Sequence, residues 1–420
     1  VTAKWSFRAV FLYLVFGLFV YLYLFYIADT TLPQELKGSG ADPETFMNSR
    51  ELMLSEEYSR IRNLLYFLSV PYEWLFYFLL LVFGVSRTFS RWGEGTSSIP
   101  VVQTAIYLFW FYIASYLVIF PFEYLSFHFS KLYNISVQTF SAWMKDQVID
   151  FWVNFLLMVV IISALYWIMR TFQQKWWLVA WLASIPFTIF LMFIQPVVID
   201  PLYNDFTPLQ DKELEAKILA IAEKADIPAE HVYQVDMSTK TNALNAYVTG
   251  VGANSRIVLW DTTLEALSDD EILFVMAHEM AHYVEKHIYV GIGSYLLMML
   301  IGLWLIAKVM NRMVESNGKE YRIKKVSHIS SLPLFLLLSS VLLFAASPLE
   351  NGVSRYTETR ADNYAIQMTQ NPDAAVSAFQ ELSRVGLSQV NPPFLVKIFR
   401  YSHPSMVERI ERLERFEPEE

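Results

Sequence analysis

Cysteine is absent from the sequence. That excludes disulfides, thiol nucleophiles and thiolate metal ligands, so any bound metal must rely on His, Asp or Glu. Histidine itself is scarce, with 7 in 420 residues, and glycine supplies only 14. Charged residues make up 17% of the chain, well under the level of about 25% usual in soluble proteins. Net charge is −9, and the one compact basic patch is Lys319, Arg322, Lys324 and Lys325. No nucleic-acid partner is expected from that balance. Internal repeats and low-complexity tracts are also missing.

Apolar residues fill the chain instead, 55% of it, with 16% aromatic. About 20 consecutive apolar residues cross a hydrocarbon core. Seven such runs occur, near 9–28, 64–85, 101–120, 151–169, 176–195, 288–307 and 329–347. The chain therefore reads as a mainly α, polytopic protein whose first partner is the lipid bilayer. The first run follows Lys4 and Arg8 but lacks a small-x-small cleavage site before Asp29, so it reads as a retained span. Trp110, Trp152, Trp167, Trp176 and Trp177 lie near span ends, as an interfacial aromatic belt requires. Glu73 and Glu123 each follow a nearby proline and read as interfacial residues.

The runs divide the chain into spans one to five (1–195), a soluble segment (196–287), spans six and seven (288–347) and a second soluble segment (348–420). Pro196, Pro201 and Pro208 end the fifth span. Residues 209–225 have helical periodicity, whereas "HVYQVDM" and "RIVLWD" are rich in β-branched and aromatic residues. With Gly250, Gly252 and Asn254 between them, they predict a small sheet or hairpin.

"SDDEILFVMAHEMAHYVEKH" opens with Ser268 and Glu271 at capping-box spacing, which predicts a helix start. On that helix His278 and His282, four residues apart, share one face and can aim both imidazoles at one ion, with Glu279 beside them. This HExxH pattern suits zinc. Two imidazoles and a carboxylate are acceptable ligands, and a three-ligand site leaves room for a water whose pKa falls toward about 7. Glu279 would take that water's proton. Downstream, "SRYTETRADNYA" offers Glu358 as third ligand and Asp362, one turn on, as acceptor for the outer nitrogen of a ligating imidazole, His278. One Zn2+ per chain is expected.

Together these pieces resemble the type 1 CAAX prenyl protease family, seven-span membrane zinc endopeptidases related to the bacterial heat-shock membrane protease. The matching stretches are "IDPLYNDFTPL", "TNALNAYVTG", "RIVLWDTTL", "HEMAHYVEKH", "SRYTETRADNYA" and "HPSMVERI", in family order over nearly the whole chain. The family's helix usually reads HELGH, and the Met-Ala here departs at positions that do not face the metal. The resemblance implies a gluzincin-like zinc metalloendopeptidase with ligands His278, His282 and Glu358 and general base Glu279. It implies a small α+β protease domain on long helices that ring a water-filled chamber. It also implies that Asn245 and Ala246 lie on an edge strand that pairs with substrate backbone, and that His403 and Arg409 support the transition state as catalytic donors. His287, nine residues after His278, reads either as a group behind the ligands or as the interfacial start of span six, and the second reading is the stronger.

The expected partner is thus a peptide or protein substrate, membrane-bound or prenylated, in a multi-pass protein of the cell membrane. Prenylated C-terminal CAAX peptides and aberrant membrane proteins are equally consistent with the residues, as processing or quality-control roles. Two other readings stay open. "NPDA" at 371–374 echoes the Asp ligand motif of intramembrane site-2-type proteases, although it lies in polar sequence. A non-catalytic membrane scaffold or carrier with a structural zinc is the third. The sidedness arguments disagree: Lys and Arg in short segments opposite the motif outnumber those on its side about twofold, which by the positive-inside rule turns the motif outward. The resemblance implies a cytoplasmic site, and that reading is preferred here.

Overall fold

The computed structural model describes residues 2–227, 231–249 and 256–418. Gly250, Gly252 and Asn254 lie outside the described residues. The chain is built of long helices: α1 (Thr2–Leu22), prolonged by a π turn, α2 (Ser49–Val82), α3 (Val85–Thr96), α4 (Pro100–Leu132), α5 (Phe140–Thr171) and α6 (Trp176–Ile194). After the soluble segment come α10 (His287–Asn317) and α11 (Leu332–Thr369). Seven of the described helices are long and apolar enough to span a membrane. They coincide with the seven runs expected from sequence.

Their length matters more than their number. At 1.5 Å per residue, the 34 residues of α2 and the 38 of α11 extend about 51 and 57 Å, against a hydrocarbon core of about 30 Å. Both must project from the bilayer. In α11 the apolar first half continues unbroken through Pro348 into "SRYTETRADNYA", so the boundary drawn at 347–348 falls inside one helix. The projecting half of α2 starts at a capping box made by Asn48 and Glu51 and buries Tyr58, Ser59 and Asn63.

The spans pack through a core that includes Tyr107, Leu108, Tyr166, Met169, Trp176 and Leu334. Between α2, α4, α5 and α11 they leave a cavity of 330 Å³ lined by Tyr77, Tyr112, Glu123, Gln147 and Asp150, among others. Glu123 faces this cavity. Glu73 accepts hydrogen bonds from Tyr77 and, at 3.4 Å, from Ser340 of α11. Both carboxylates thus find partners or space inside the helix assembly.

Among the described residues the soluble segment contains four strands, β1 (Phe206–Pro208), β2 (Val232–Val235), β3 (Ala246–Thr249) and β4 (Arg256–Trp260). They form one sheet in the order β1-β2-β4-β3. Only the β2/β4 pair is parallel, with Val232 opposite Ile257. A sheet rather than a lone hairpin results, and β3 lies at its edge. Helix α7 (Lys212–Lys224) is capped by Asp211 and buries Leu214, Ile218 and Ala222.

Helix α9 (Asp269–Val284) starts at the expected capping box of Ser268 and Glu271, with Asp269, Asp270 and Glu271 favourably placed at its positive end. It is buried on two sides. Ile272, Met276 and Met280 pack with α7 and the sheet. Phe274 and Ala277 pack against α11, α12 (Pro372–Val385) and α14 (Met406–Glu414). Met280 and Ala281 are fully buried, so the departure from HELGH is a matter of core packing. Short helices α8 (Asp261–Ala266) and α13 (Phe394–Arg400) complete the domain.

Candidate metal centre

Helix α9 brings His278 and His282 to one face, and the projecting end of α11 lays Glu358 across them. His278 Nε2 is 3.1 Å from Glu358 Oε2 and 3.3 Å from His282 Nε2, and His282 Nε2 is 3.4 Å from Glu358 Oε1. Four ligands at 2.0–2.1 Å around a tetrahedral ion are about 3.3 Å apart. The two imidazoles already stand at that spacing, Glu358 brings one oxygen to each, and the three residues form a His/Cys/Asp/Glu cluster whose donor atoms lie within 4.8 Å of one another among the described residues. Two imidazoles and one carboxylate fit zinc.

Each imidazole is held from behind. His278 Nδ1 lies 2.9 Å from Asp362 Oδ1, so an N–H there donates to the carboxylate and Nε2 is left to bind metal. Asp362 is fully buried and accepts from Arg409 Nε at 2.9 Å and Nη2 at 2.6 Å. Arg409 in turn lies 4.0 Å over the Phe379 ring. With two of its nitrogens bonded to Asp362, Arg409 braces the support of His278, and it also lines the cavity shared by Glu279 and His403. His403 is nearer the centre, with Nε2 3.3 Å from Glu358 Oε2.

His282 has a longer support that the sequence reading did not favour. Its Nδ1 is 3.1 Å from His287 Nδ1, and His287 Nε2 is 3.0 Å from Glu285 Oε2, which is paired with Arg360. The hydrogen-bond directions follow from one constraint. If His282 binds metal through Nε2, its Nδ1–H donates to His287, whose own proton must then sit on Nε2 and donate to Glu285. His287 does start α10, as expected, but it also stands behind the second ligand. On an uninterrupted helix it would be rotated about 140° from His282. The left-handed backbone at Lys286, φ 57°, breaks the helix and swings it back. Lysine gives no sequence signal for such a turn. Replacing His287 with Ala should weaken zinc retention by about 10- to 100-fold, with Gln, which can both accept and donate, retaining more. Competition with a chromophoric chelator reads this directly, and an Ala variant that holds zinc like the parent removes His287 from the support.

Electrostatics separates the three motif side chains. Burial disfavours charge on His278, but Asp362 and Glu358 outweigh it and raise its pKa to about 9 in the metal-free protein. Burial and then the charge on His278 lower His282 to about 4. Burial raises Glu279 above the usual carboxylate range, with His278 opposing. Glu279 lies outside the ligand cluster and lines cavities on both sides of it, one of 460 Å³ shared with Val248, His282 and His287, the other of 270 Å³ shared with Asn245, Ala246, Gln389, Tyr401 and His403. These cavities form a cleft along β3.

Asn245 immediately precedes β3, and its carbonyl accepts from Trp260 of β4 at 3.1 Å. Because main-chain groups alternate along a strand, the N–H and C=O of Ala246 then point to the open edge. There the Ala246 N–H is held by Asn245 Oδ1 at 3.0 Å. "NPDA" lies apart from this site: Asn371 caps α12 by accepting from Ala374 N, with Pro372 in the first turn.

A His-His-Glu cluster with a free carboxylate beside it, its carboxylate ligand carried on the end of a membrane-spanning helix, defines a membrane metallopeptidase. Comparison with known proteins gives the family. Residues 208–417 match peptidase family M48, and residues 22–205 match the CAAX prenyl protease N-terminal region, five membrane helices. The chain belongs to peptidase family M48, in its CAAX prenyl protease type. It is 50% identical to the uncharacterized metalloprotease YhfN of Bacillus subtilis over 99% of its own length and 97% of that protein. It is 30% identical to a CAAX prenyl protease 1 homolog of Oryza sativa over 75% of this chain and 74% of the relative. Its fold is similar to the crystal structure of S. mikatae Ste24p, with a TM-score of 0.79 over 97% of each chain at 24% identity.

Proposed function

We propose that the protein is a zinc endopeptidase that cuts peptide bonds of membrane-associated substrates. The observation that carries this reading is the convergence of His278, His282 and Glu358 with Glu279 beside them and outside the cluster. When bound, zinc supplies a Lewis acid that acidifies water and polarises the scissile carbonyl. Glu279 accepts the proton of the attacking water and returns it to the leaving amine as the C–N bond breaks. The open edge of β3 receives the substrate backbone, with Asn245 Oδ1 yielding the Ala246 N–H to a substrate carbonyl. His403 stands at the rim as a donor for the developing oxyanion. A structural zinc site would fill four positions with protein ligands. Three are clustered here among the described residues, which favours catalysis over a scaffold.

The test is hydrolysis of reporter peptides by the purified full-length chain, before and after removal of metal by a chelator. Activity should vanish with the metal and return with about one zinc per chain. Hydrolysis that survives complete metal removal rules the proposal out. Prenylated C-terminal peptides and misfolded membrane proteins are the two substrate classes to compare. The 50% identical bacterial relative carries neither in its name, and processing or quality control at the cell membrane are the corresponding roles.

The active site is assigned to the cytoplasmic side. Two spans, α10 and α11, lie between the HExxH helix and Glu358, so both halves of the site share a face whichever way the chain inserts. Ser316 and Ala266 are exposed with one span, α10, between them, and with no native cysteine each can carry a single thiol. On intact cells an impermeant thiol reagent should label Ser316→Cys and spare Ala266→Cys. The reverse pattern places the site outside, as the Lys and Arg distribution implies.

A further inference from the structure

The basic patch of the sequence, Lys319, Arg322 and Lys324 with Lys325 beside them, has no part in hydrolysis. It follows the end of α10, which puts one membrane span between it and the zinc helix. There it faces α3. The two enclose a cavity of 830 Å³ lined by Gly84, Arg87, Arg91, Lys319, Arg322 and Lys324, among others. Arg87 and Arg91 are one helical turn apart, so α3 can turn both toward the same space.

Both walls are held in place. Beyond α10, Tyr321 N donates to Asn317 O at 3.1 Å and Ile323 N to Gly318 O at 2.8 Å, and Ile323 is buried. Lys319 and Arg322 therefore sit on a closed turn. Arg322 has left-handed backbone, φ 55°, which is uncommon for a residue with a side chain. Its side chain lies on the α2–α3 turn at Gly84, where a Cβ would stand 2.6 Å from Arg322 Nη1.

The charge in this cavity is unbalanced. Arg87 is paired with Glu94 at 3.2 Å, but among the described residues no carboxylate pairs with Arg91, Lys319, Arg322 or Lys324. Of the two carboxylates in the lining, Glu320 accepts from Asn317 at 3.3 Å and Glu315 has no cation within reach. Unpaired cations thus converge on one space in a chain whose net charge is −9, and that space fits an anion. Its position selects the kind of anion. The α2 span ends at Val82 and the α10 span at Asn317, with Phe83 and Trp92 exposed beside the cavity. Cations at span ends next to exposed apolar rings match a lipid whose charged group lies at the membrane surface and whose chains lie below it.

We propose that this cavity binds the phosphate of an anionic phospholipid headgroup, with Arg91 and Arg322 as hydrogen-bonding forks and Lys319 and Lys324 as further charges. The phosphate bridges α3 to the connection between α10 and α11. A zwitterionic headgroup carries its own cation and gains less.

The purified full-length protein in neutral detergent is titrated with acyl-labelled phosphatidylglycerol or phosphatidylcholine, with energy transfer from tryptophan reporting binding. The parent should prefer phosphatidylglycerol by about 10-fold or more. In R91Q/R322Q and, separately, K319Q/K324Q the preference should fall to within about 3-fold of one. K4Q/R8Q should keep it. That variant also removes two charges from the same membrane face, two spans away and outside the cavity, so it separates a built site from general attraction. Each preference is a ratio within one preparation, and partial loss of folded protein does not move it. Displacement of phosphatidylglycerol by inorganic phosphate, beyond that by chloride at equal ionic strength, shows that the phosphate alone suffices. No displacement shows that the acyl chains are needed as well, and either result supports the proposal. Equal affinity of the parent for the two lipids, a preference unchanged in both cavity variants, or an equal loss in K4Q/R8Q overturns it.

Discussion

Glu279→Gln should keep its zinc and lose about 10²- to 10⁴-fold in turnover, the range that general-base catalysis contributes. The expectation rests on where α9 puts the side chain. His278 and His282 project from the helix toward Glu358, whereas Glu279 lies outside that cluster and lines the cleft on both sides of it. Gln preserves the shape and cannot accept a proton. Burial also raises the Glu279 carboxyl above the usual range, which brings its basicity closer to that of the proton it must take and return. Metal content and kcat measured on one preparation decide the matter. Normal turnover in the variant means that another group removes the proton, and loss of zinc means that Glu279 is itself a ligand. Glu358→Ala gives the contrast: it removes a donor 3.1 and 3.4 Å from the two imidazoles and should lose metal and activity together.

Most of what could be read in advance depended on local pattern. The seven spans were visible because hydrocarbon imposes one rule on every crossing segment. The α9 start was visible because Ser268 and Glu271 satisfy free amides by themselves. The pairing of Glu358 with Asp362 followed from helical spacing alone. What escaped depended on chain reversals or distant packing. The parallel pairing of β2 with β4 requires a crossover that no local spacing encodes. The continuity of α11 through Pro348 was hidden because a proline within a helical pattern normally marks its end. The support behind His282 depends on a left-handed lysine. Such reversals supply the support behind the second ligand, while the metal ligands themselves come from two short helical motifs.

Asp362→Ala should be the most damaging single change to the fold of the soluble domain, costing about 3–5 kcal/mol, because it leaves a buried charge without its partner. Asp362 is fully buried, Arg409 is 5% exposed, and the two share bonds of 2.9 and 2.6 Å. Arg412 Nη1 is 3.6 Å from the same carboxylate and has no hydrogen-bond partner, so the charge left uncovered is larger than that of Arg409 alone. The loss should be largely recovered by adding Arg409→Met, since a methionine can cover the Phe379 ring that the guanidinium now lies over at 4.0 Å and removes the orphaned charge. Stability must be compared in the metal-free proteins, because zinc bound only by the folded form adds its own stabilisation. Thermal unfolding followed by tryptophan fluorescence should place the single variant well below the parent and the double variant between them. The recovered fold should still bind zinc about 10- to 100-fold more weakly than the parent, since His278 has lost the acceptor that fixes its tautomer. A double variant no more stable than Asp362→Ala would show that the carboxylate is needed for something other than balancing Arg409, and one that binds zinc like the parent would detach Asp362 from the metal centre altogether.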